Sequence, residues 1–178
     1  MLAYLFVAIA IATRFLIPTH LLGVPYHFVP LGASLLFFGA KMPRKQLWIP
    51  LALFAVSDIL LTRFVYHYPF NADTFISWFW YAGALGIGML LRKNDNLIRV
   101  AGASLAASFS FFLISNLGSF FVLDMYPKTW AGLAECYTLA IPFFRTSLVA
   151  DMVFSLAFFS SVPVAIQLFS GKPARERA

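Results

Sequence analysis

The sequence predicts an all-α membrane protein, folded as a single bundle of six transmembrane helices. Of its 178 residues, 61% are hydrophobic and only 11% are charged, and the mean hydropathy is +0.83. A soluble domain cannot bury this much apolar surface, and disordered chains contain far less of it. A single cysteine, Cys136, excludes a disulfide scaffold.

Six apolar runs supply the helices, since a membrane span needs about 20 mostly apolar residues. They lie near residues 1–17, 29–40, 47–66, 74–91, 100–123 and 139–170. The first run lacks the basic start of a secretory signal, which favours a retained helix. The second is short because Pro30 and a basic turn confine it, and we expect Pro142 and Pro163 to shorten or bend the long sixth.

The Lys and Arg residues predict the orientation of the bundle. Four of the 13 lie near or within the helix ends on one side: Arg14, Arg63, Lys128 and Arg145. The other nine fall on the opposite side: Lys41, Arg44, Lys45, Arg92, Lys93, Arg99, Lys172, Arg175 and Arg177. Because cytoplasmic loops are rich in Lys and Arg, we expect both termini, and a basic tail over 171–178, in the cytoplasm. The net charge of +6 then reflects topology and not a nucleic-acid partner.

The predicted outer loops, residues 18–28, 67–73 and 124–138, are rich in aromatic residues, His and Pro. A gate for an external solute would use Tyr26, His27, Tyr68, Trp78, Trp80, Tyr126, Trp130 and Tyr137. A belt of aromatic residues at the lipid interface is the alternative explanation. His20, His27 and His67 have no regular metal-ligand spacing, so we expect no metal site.

Ionisable residues inside membrane spans are costly and indicate function by default. Asp58 and Asp151 fall near mid-membrane, about 15 Å along their helices at 1.5 Å per residue. The remaining polar residues of the spans lie in the predicted outer half: Arg14, Arg63, Asn116 and Arg145. This clustering predicts a polar cavity that opens outward. Two alternatives stay open, namely a structural pair of Arg14 or Arg145 with Asp58 or Asp151, and a proton or cation relay.

Helical spacing refines the predicted substrate site. Ser147 and Asp151 are four residues apart and share a face, whereas Arg145 and Asp151 point away from one another. Arg145 would neutralise an anionic group, Asn116 would donate a hydrogen bond, and nearby aromatic side chains would stack on a ring. The full set of predicted binding residues is Asn116, Arg145, Asp151, Arg14, Asp58, His27, Trp80 and Tyr137.

Small residues at helical spacing predict close contacts between helices. The pairs are Ala8 with Ala12, Gly102 with Ala106 and Ala103 with Ala107, together with Gly83, Gly86 and Gly88. The glycines are not a nucleotide loop, because no strand precedes them. No phosphate-binding loop, zinc-protease, Cys-x-x-Cys or Gly-x-Ser-x-Gly motif occurs, so we expect neither an enzyme nor a cofactor.

The order of these features resembles the substrate-binding S components of energy-coupling factor (ECF) vitamin transporters. The resemblance rests on Ala8 and Ala12, the segment 30–40 with its basic turn, Ser57-Asp58, Asn116, and the segment 141–145. The chain is also similar to small uncharacterised bacterial integral membrane proteins, through residues 14–18, Cys136-Tyr137 and 141–145. That second likeness implies a bacterial inner membrane and no particular substrate.

The S-component resemblance implies a function. Ala8 and Ala12 would contact a membrane-embedded coupling subunit, and separate subunits would hydrolyse ATP. Loops 18–28 and 67–73 would gate a pocket built largely by helices four to six, for a vitamin-like or aromatic anion. The alternatives are a proton- or cation-coupled secondary transporter using Asp58 and Asp151, a membrane enzyme, or an assembly or interaction subunit.

Overall fold

A computed structural model of the protein describes residues 1–19, 28–67 and 71–170, without the side chains of Thr19 and residues 163–170. The predicted basic tail and most of the first predicted gate, including His20 and His27, lie outside the described residues. So does the middle of the second gate, residues 68–70.

Six α-helices form the described part of the chain, which contains no strand. They are α1 (Leu2–Leu16), α2 (Leu31–Lys41), α3 (Trp48–Leu60), α4 (Asp73–Leu90), α5 (Leu97–Val122) and α6 (Trp130–Ser170). Short 3-10 turns lie at Ile17–Thr19 and Arg44–Gln46, and a π-helical segment, Leu61–Val65, extends α3. The all-α class that the composition predicts is confirmed.

The protein is a membrane protein. Three helical segments of the described chain are long and apolar enough to cross a bilayer: Arg44–Val65, Leu97–Val122 and Trp130–Val162. The helices Leu2–Leu16 and Leu31–Lys41 are apolar but shorter. Large apolar side chains cover the outside of the bundle, such as Phe79 at 73% exposed and Ile98 at 84%. An apolar surface of this extent is typical of proteins that contact lipid or other membrane helices.

Helix α2 is the core of the bundle, since every residue from Gly32 to Ala40 is buried. An apolar helix with no polar face is typical of a protein core or a membrane span. Phe37 of α2 packs on Phe6 of α1, with ring centroids 4.9 Å apart, and on Phe159 of α6 at 5.1 Å. Helices α1 and α4 run antiparallel to α2, and α6 runs parallel to it.

Glycines permit the backbones of α2 and α4 to touch. A Cβ atom added to Gly39 would collide with the carbonyl oxygen of Leu85, and one added to Gly88 would collide with that of Leu36. Close approach of this kind is how small residues join helices in membranes. The close contact predicted at Gly88 is therefore confirmed.

Other small residues face outward, contrary to prediction. Gly83, Gly86 and Gly102 have no neighbouring atoms within 4 Å of an added Cβ. Ala106 is also exposed, whereas Ala107 is buried. The contacts predicted at these three glycines and at Ala106 are wrong, because spacing alone does not say which face of a helix meets the bundle. Ala8 and Ala12 also lie on an exposed face, that of α1.

Helix α6 is longer than predicted. It begins at Trp130 instead of near residue 139, and it continues through Pro142 and Pro163 without interruption. Its first turns pack against α5, where Tyr137 donates a hydrogen bond of 2.8 Å to the Leu113 carbonyl. Proline is tolerated within membrane helices where side chains satisfy the freed carbonyls. Because Pro142 has no N–H, the carbonyl that it frees is that of Thr138, four residues earlier.

Candidate functional site

A cavity of about 500 Å³ occupies the end of the bundle where α1 ends and α2 and α4 begin. This volume lies within the range of small-molecule sites. Each of the six helices contributes to its wall, whereas the S-component resemblance implies a pocket built largely by helices four to six. Its lining includes Arg14, Pro18, Gly32, Asp58, Thr62, Tyr66, Asp73, Thr74, Ser77, Trp80, Tyr81, Phe111, Ser147 and Asp151.

A charged pair between α1 and α3 lies on one side of the cavity. Arg14 donates a hydrogen bond to an Asp58 carboxylate oxygen, forming a salt bridge, and another of 2.8 Å to the Ser57 hydroxyl. The Arg14 side chain is 16% exposed and the Asp58 side chain is 9% exposed. The sequence predicts a possible pair of Arg14 or Arg145 with Asp58 or Asp151, and the structure contains the pair of Arg14 with Asp58. Pairing neutralises two charges that would be costly alone in a membrane.

Two aromatic donors from α4 complete the coordination of Asp58. Trp78 Nε1 lies 2.9 Å from Asp58 Oδ2, and the Tyr81 hydroxyl lies 3.1 Å from the same oxygen. Hydrogen bonds to a carboxylate are stronger than neutral ones, so this network fixes α1, α3 and α4 relative to one another.

Asp151 of α6 lies at the first turn of α2, on the cavity floor. Its carboxylate accepts hydrogen bonds from the backbone amides of Gly32 and Ala33. It also accepts one of 2.7 Å from the Ser108 hydroxyl of α5. The first amides of a helix have no partner within the helix, and a carboxylate there also interacts favourably with the helix dipole. Asp151 therefore acts as an N-terminal cap supplied by another helix.

Glycine is required at position 32 for this cap. A Cβ atom at Gly32 would lie 2.6 Å from Asp151 Oδ1 and 2.8 Å from Oδ2. Because both distances are far below van der Waals contact, any larger residue would displace the carboxylate or the helix.

Aromatic side chains form another part of the cavity wall. Trp80 is only 4% exposed, and its Nε1 donates to the Ala107 carbonyl at 3.2 Å and to Ser110 Oγ at 3.1 Å. Its ring packs on Phe111, with centroids 4.7 Å apart. These contacts hold the indole rigidly beside the cavity.

Four hydroxyl groups complete the lining: Thr62, Thr74, Ser77 and Ser147. None of their side chains makes a hydrogen bond to another described residue. Elsewhere in the bundle, hydroxyls such as Ser108 and Ser155 are bonded to side chains of other helices. The cavity therefore presents hydrogen-bonding groups to whatever occupies it.

The structure brings together four of the eight predicted site residues, namely Arg14, Asp58, Trp80 and Asp151. His27 lies outside the described residues. The remaining three, Asn116, Arg145 and Tyr137, do not line the cavity. Asn116 donates to the Phe112 carbonyl of its own helix, at 2.7 Å, and Arg145 lies on the exposed face of α6. As expected from spacing, Ser147 shares the cavity with Asp151, and Arg145 does not.

Sequence reasoning missed Tyr81 and the hydroxyls of α4. Thr74, Ser77 and Tyr81 are spaced by three and four residues, which places them on one face of a helix. That polar stripe within an apolar span was the available signal. Among the described residues, no three His, Cys, Asp or Glu side chains are grouped as metal ligands.

The opposite end of the bundle is basic. Lys41 forms a salt bridge of 2.5 Å with Asp95, and Arg92 donates to the carbonyls of Gly39 and Met42 at 2.9 and 2.6 Å. Arg92 thus satisfies carbonyls at the end of α2, and both cations complement the negative end of its dipole.

Fold and cavity together define a helical membrane protein with a polar, aromatic-walled cavity inside an apolar bundle. The sequence matches the Family of unknown function (DUF6580) over residues 1–173, and the chain belongs to this family. No curated protein and no solved structure matches it.

Proposed function

We propose that the protein captures a small solute in the cavity and mediates its uptake across the bacterial inner membrane. The observation that carries this proposal is the cavity itself, which combines hydroxyls that have no partner among the described residues, carboxylates and a rigid aromatic wall. Polar groups inside a membrane bundle are costly, and a purely structural bundle has no use for unpaired hydroxyls.

The proposed direction is inward from the extracytoplasmic side. In this topology all six helices cross the membrane and both termini lie in the cytoplasm. The described basic residues at the end opposite the cavity are Lys41, Arg44, Lys45, Arg92, Lys93 and Arg99. Because cytoplasmic ends are rich in such residues, the cavity would open outward.

An arrangement like that of an ECF S component is the form of uptake we propose. The bundle would bind the solute, and a coupling subunit with separate ATPases would supply the energy. Ala8 and Ala12 lie side by side on an exposed face of α1, where no other described helix covers them. A small-residue face of this kind permits close docking of a partner helix in the membrane.

A secondary transporter coupled to protons or cations is the second candidate. It is favoured by one observation, that Asp58 and Asp151 line the same cavity. Uptake into cells that stops with an uncoupler, while the ATP level is held constant, would support this candidate over the first.

Native mass spectrometry of the protein, extracted with detergent from its host membrane, tests solute binding. We expect an organic molecule at a stoichiometry of one, released on denaturation. Ser147→Phe should abolish it by filling the cavity, because Ser147 lines the cavity and makes no hydrogen bond to a described residue. Val149→Phe is the matched control, since Val149 is 55% exposed on the same helix.

The two variants separate binding from folding. Loss of the molecule from Ser147→Phe alone, with both variants monodisperse, supports the proposal. A folded wild-type protein that carries no molecule, or one retained equally by both variants, would contradict it.

A further inference from the structure

The charges that line the cavity are unequal. Among the described residues of its lining, three carboxyl groups, those of Asp58, Asp73 and Asp151, face one guanidinium group, that of Arg14. The described part of the lining therefore has an excess of acidic groups and is otherwise neutral. A low-dielectric bundle around it strengthens the effect of each charge.

The guanidinium group of Arg14 is already engaged. It donates to Asp58 and to Ser57, and it lies over the Phe54 ring at 5.9 Å. An anionic solute at this position would have to compete with Asp58 for Arg14 and would also approach the other two carboxylates. Arg145, the cation expected from the sequence to bind an anion, is not part of the lining.

Asp73 is the carboxylate that remains available. It lies in the first turn of α4, at the mouth of the cavity, and makes no hydrogen bond or ion pair with any described residue. Asp151 on the floor is bound by two amides and one hydroxyl, yet a carboxylate has about four acceptor positions. Both can therefore accept a further donor.

The aromatic wall suits the same kind of solute. Trp80, Tyr81 and Phe111 border the cavity, and the faces of aromatic rings attract cations. An ammonium group beside such rings gains from the carboxylates and from the rings together.

We infer that the solute carries a positive charge, as an amine or quaternary ammonium group attached to an apolar or aromatic body. This inference rests on the proposed function and replaces the anion that the sequence suggests. The ammonium group binds at the carboxylates of the lining, of which Asp73 has no partner among the described residues, and its body lies against Trp80.

Three probes of nearly equal shape test the sign of the charge: phenethylammonium, phenylacetate and 2-phenylethanol. Each is titrated to millimolar concentration against the purified full chain, with the thermal unfolding temperature as the readout. A bound probe raises this temperature in a saturable way. We expect phenethylammonium to stabilise the protein and the other two to have no effect.

Two variants then assign the effect to the cavity. Asp73→Asn should weaken binding of phenethylammonium about tenfold, which corresponds to about 1.4 kcal/mol. Asp124→Asn is the control, because the Asp124 side chain is 99% exposed and does not line the cavity. Equal affinity in the two variants would overturn the role of Asp73.

Greater stabilisation by phenylacetate, equal stabilisation by all three probes, or none by any of them would overturn the inference. The mass-spectrometric test of solute binding does not depend on charge. If mass spectrometry found a bound anionic molecule, the proposed function would stand and only the inferred positive charge of the solute would be refuted.

Discussion

At the scale of single residues, Asp58 and Asp151 are the two carboxylates on which the cavity is built. Asp58 binds Arg14, Trp78 and Tyr81, and thereby joins α1, α3 and α4. Asp151 instead caps α2 from α6. Two residues that look alike in the sequence thus have different structural tasks, set by the groups that neighbouring helices present to them.

We predict that removing one partner of the Arg14–Asp58 pair costs more than removing both. Asp58→Leu leaves a guanidinium in an apolar bundle, at a cost of about 3–5 kcal/mol. The double variant Arg14→Met/Asp58→Leu should recover much of this loss, as seen by the thermal unfolding temperature in detergent. A double variant less stable than Asp58→Leu would contradict the geometry of the pair.

For Asp151 the prediction separates capping from charge. Asp151→Asn keeps an oxygen that accepts from the amides of α2, so its stability should stay close to that of the wild type. Asp151→Leu leaves buried amides without a partner and should lose about 1–3 kcal/mol. Equal losses in the two variants, in the same unfolding assay, would show that the charge and not the cap matters.

Four residues predicted from the sequence line the cavity. Arg14, Asp58 and Asp151 stand out as charged groups in apolar runs, and Trp80 stands out as an aromatic residue of the predicted gate. The sequence does not suffice to exclude Asn116 and Arg145, which are likewise polar or charged groups in apolar runs. Whether the side chains of Asn116 and Arg145 face the cavity depends on how each helix is rotated relative to its neighbours. A single sequence does not show this rotation. Asp73 was missed because it lies at a helix start, where an acidic residue is common.

At the scale of helices, the positions of the apolar runs agree with those of α1 to α5 within a few residues. Hydropathy locates such apolar helices well because a helix in a membrane must satisfy its own backbone. The early start of α6 was not predictable in this way. Its first turns are stabilised by contacts such as Tyr137 with Leu113, which depend on α5 being adjacent.

Two glycines of α4 provide an element-scale prediction. Gly88→Ala should destabilise the protein, because the new methyl group collides with the Leu36 backbone of α2. Gly86→Ala introduces the same atom where no neighbour lies within 4 Å, and it should be neutral or stabilising by up to about 1 kcal/mol from helix propensity. Thermal unfolding of both variants is the measurement. The same loss in each would argue against the α2–α4 contact.

At the scale of the whole molecule, the separation of charge defines two unlike ends. One end holds the cavity, and the other holds most of the described Lys and Arg residues. This polarity gives the proposed direction of uptake. Ala8 and Ala12 lie on an exposed face of α1, which the proposed partner would contact from within the bilayer.

Cysteine labelling tests that direction. In a Cys136→Ser background, Asp124→Cys should react with a maleimide that cannot cross the membrane when it is added to intact spheroplasts. Lys93→Cys, exposed at the basic end, should react only after permeabilisation. Reaction of Lys93→Cys alone in intact spheroplasts would invert the topology and the direction of transport.

The central claim is that the cavity holds a solute. The most direct measurement is an experimental structure of the protein taken from its host membrane into a lipid nanodisc, without added ligand. We predict non-protein density that touches Trp80 and Ser147, with the Arg14–Asp58 salt bridge intact beside it. A cavity closed by its own side chains, or occupied by a lipid acyl chain, would contradict the account.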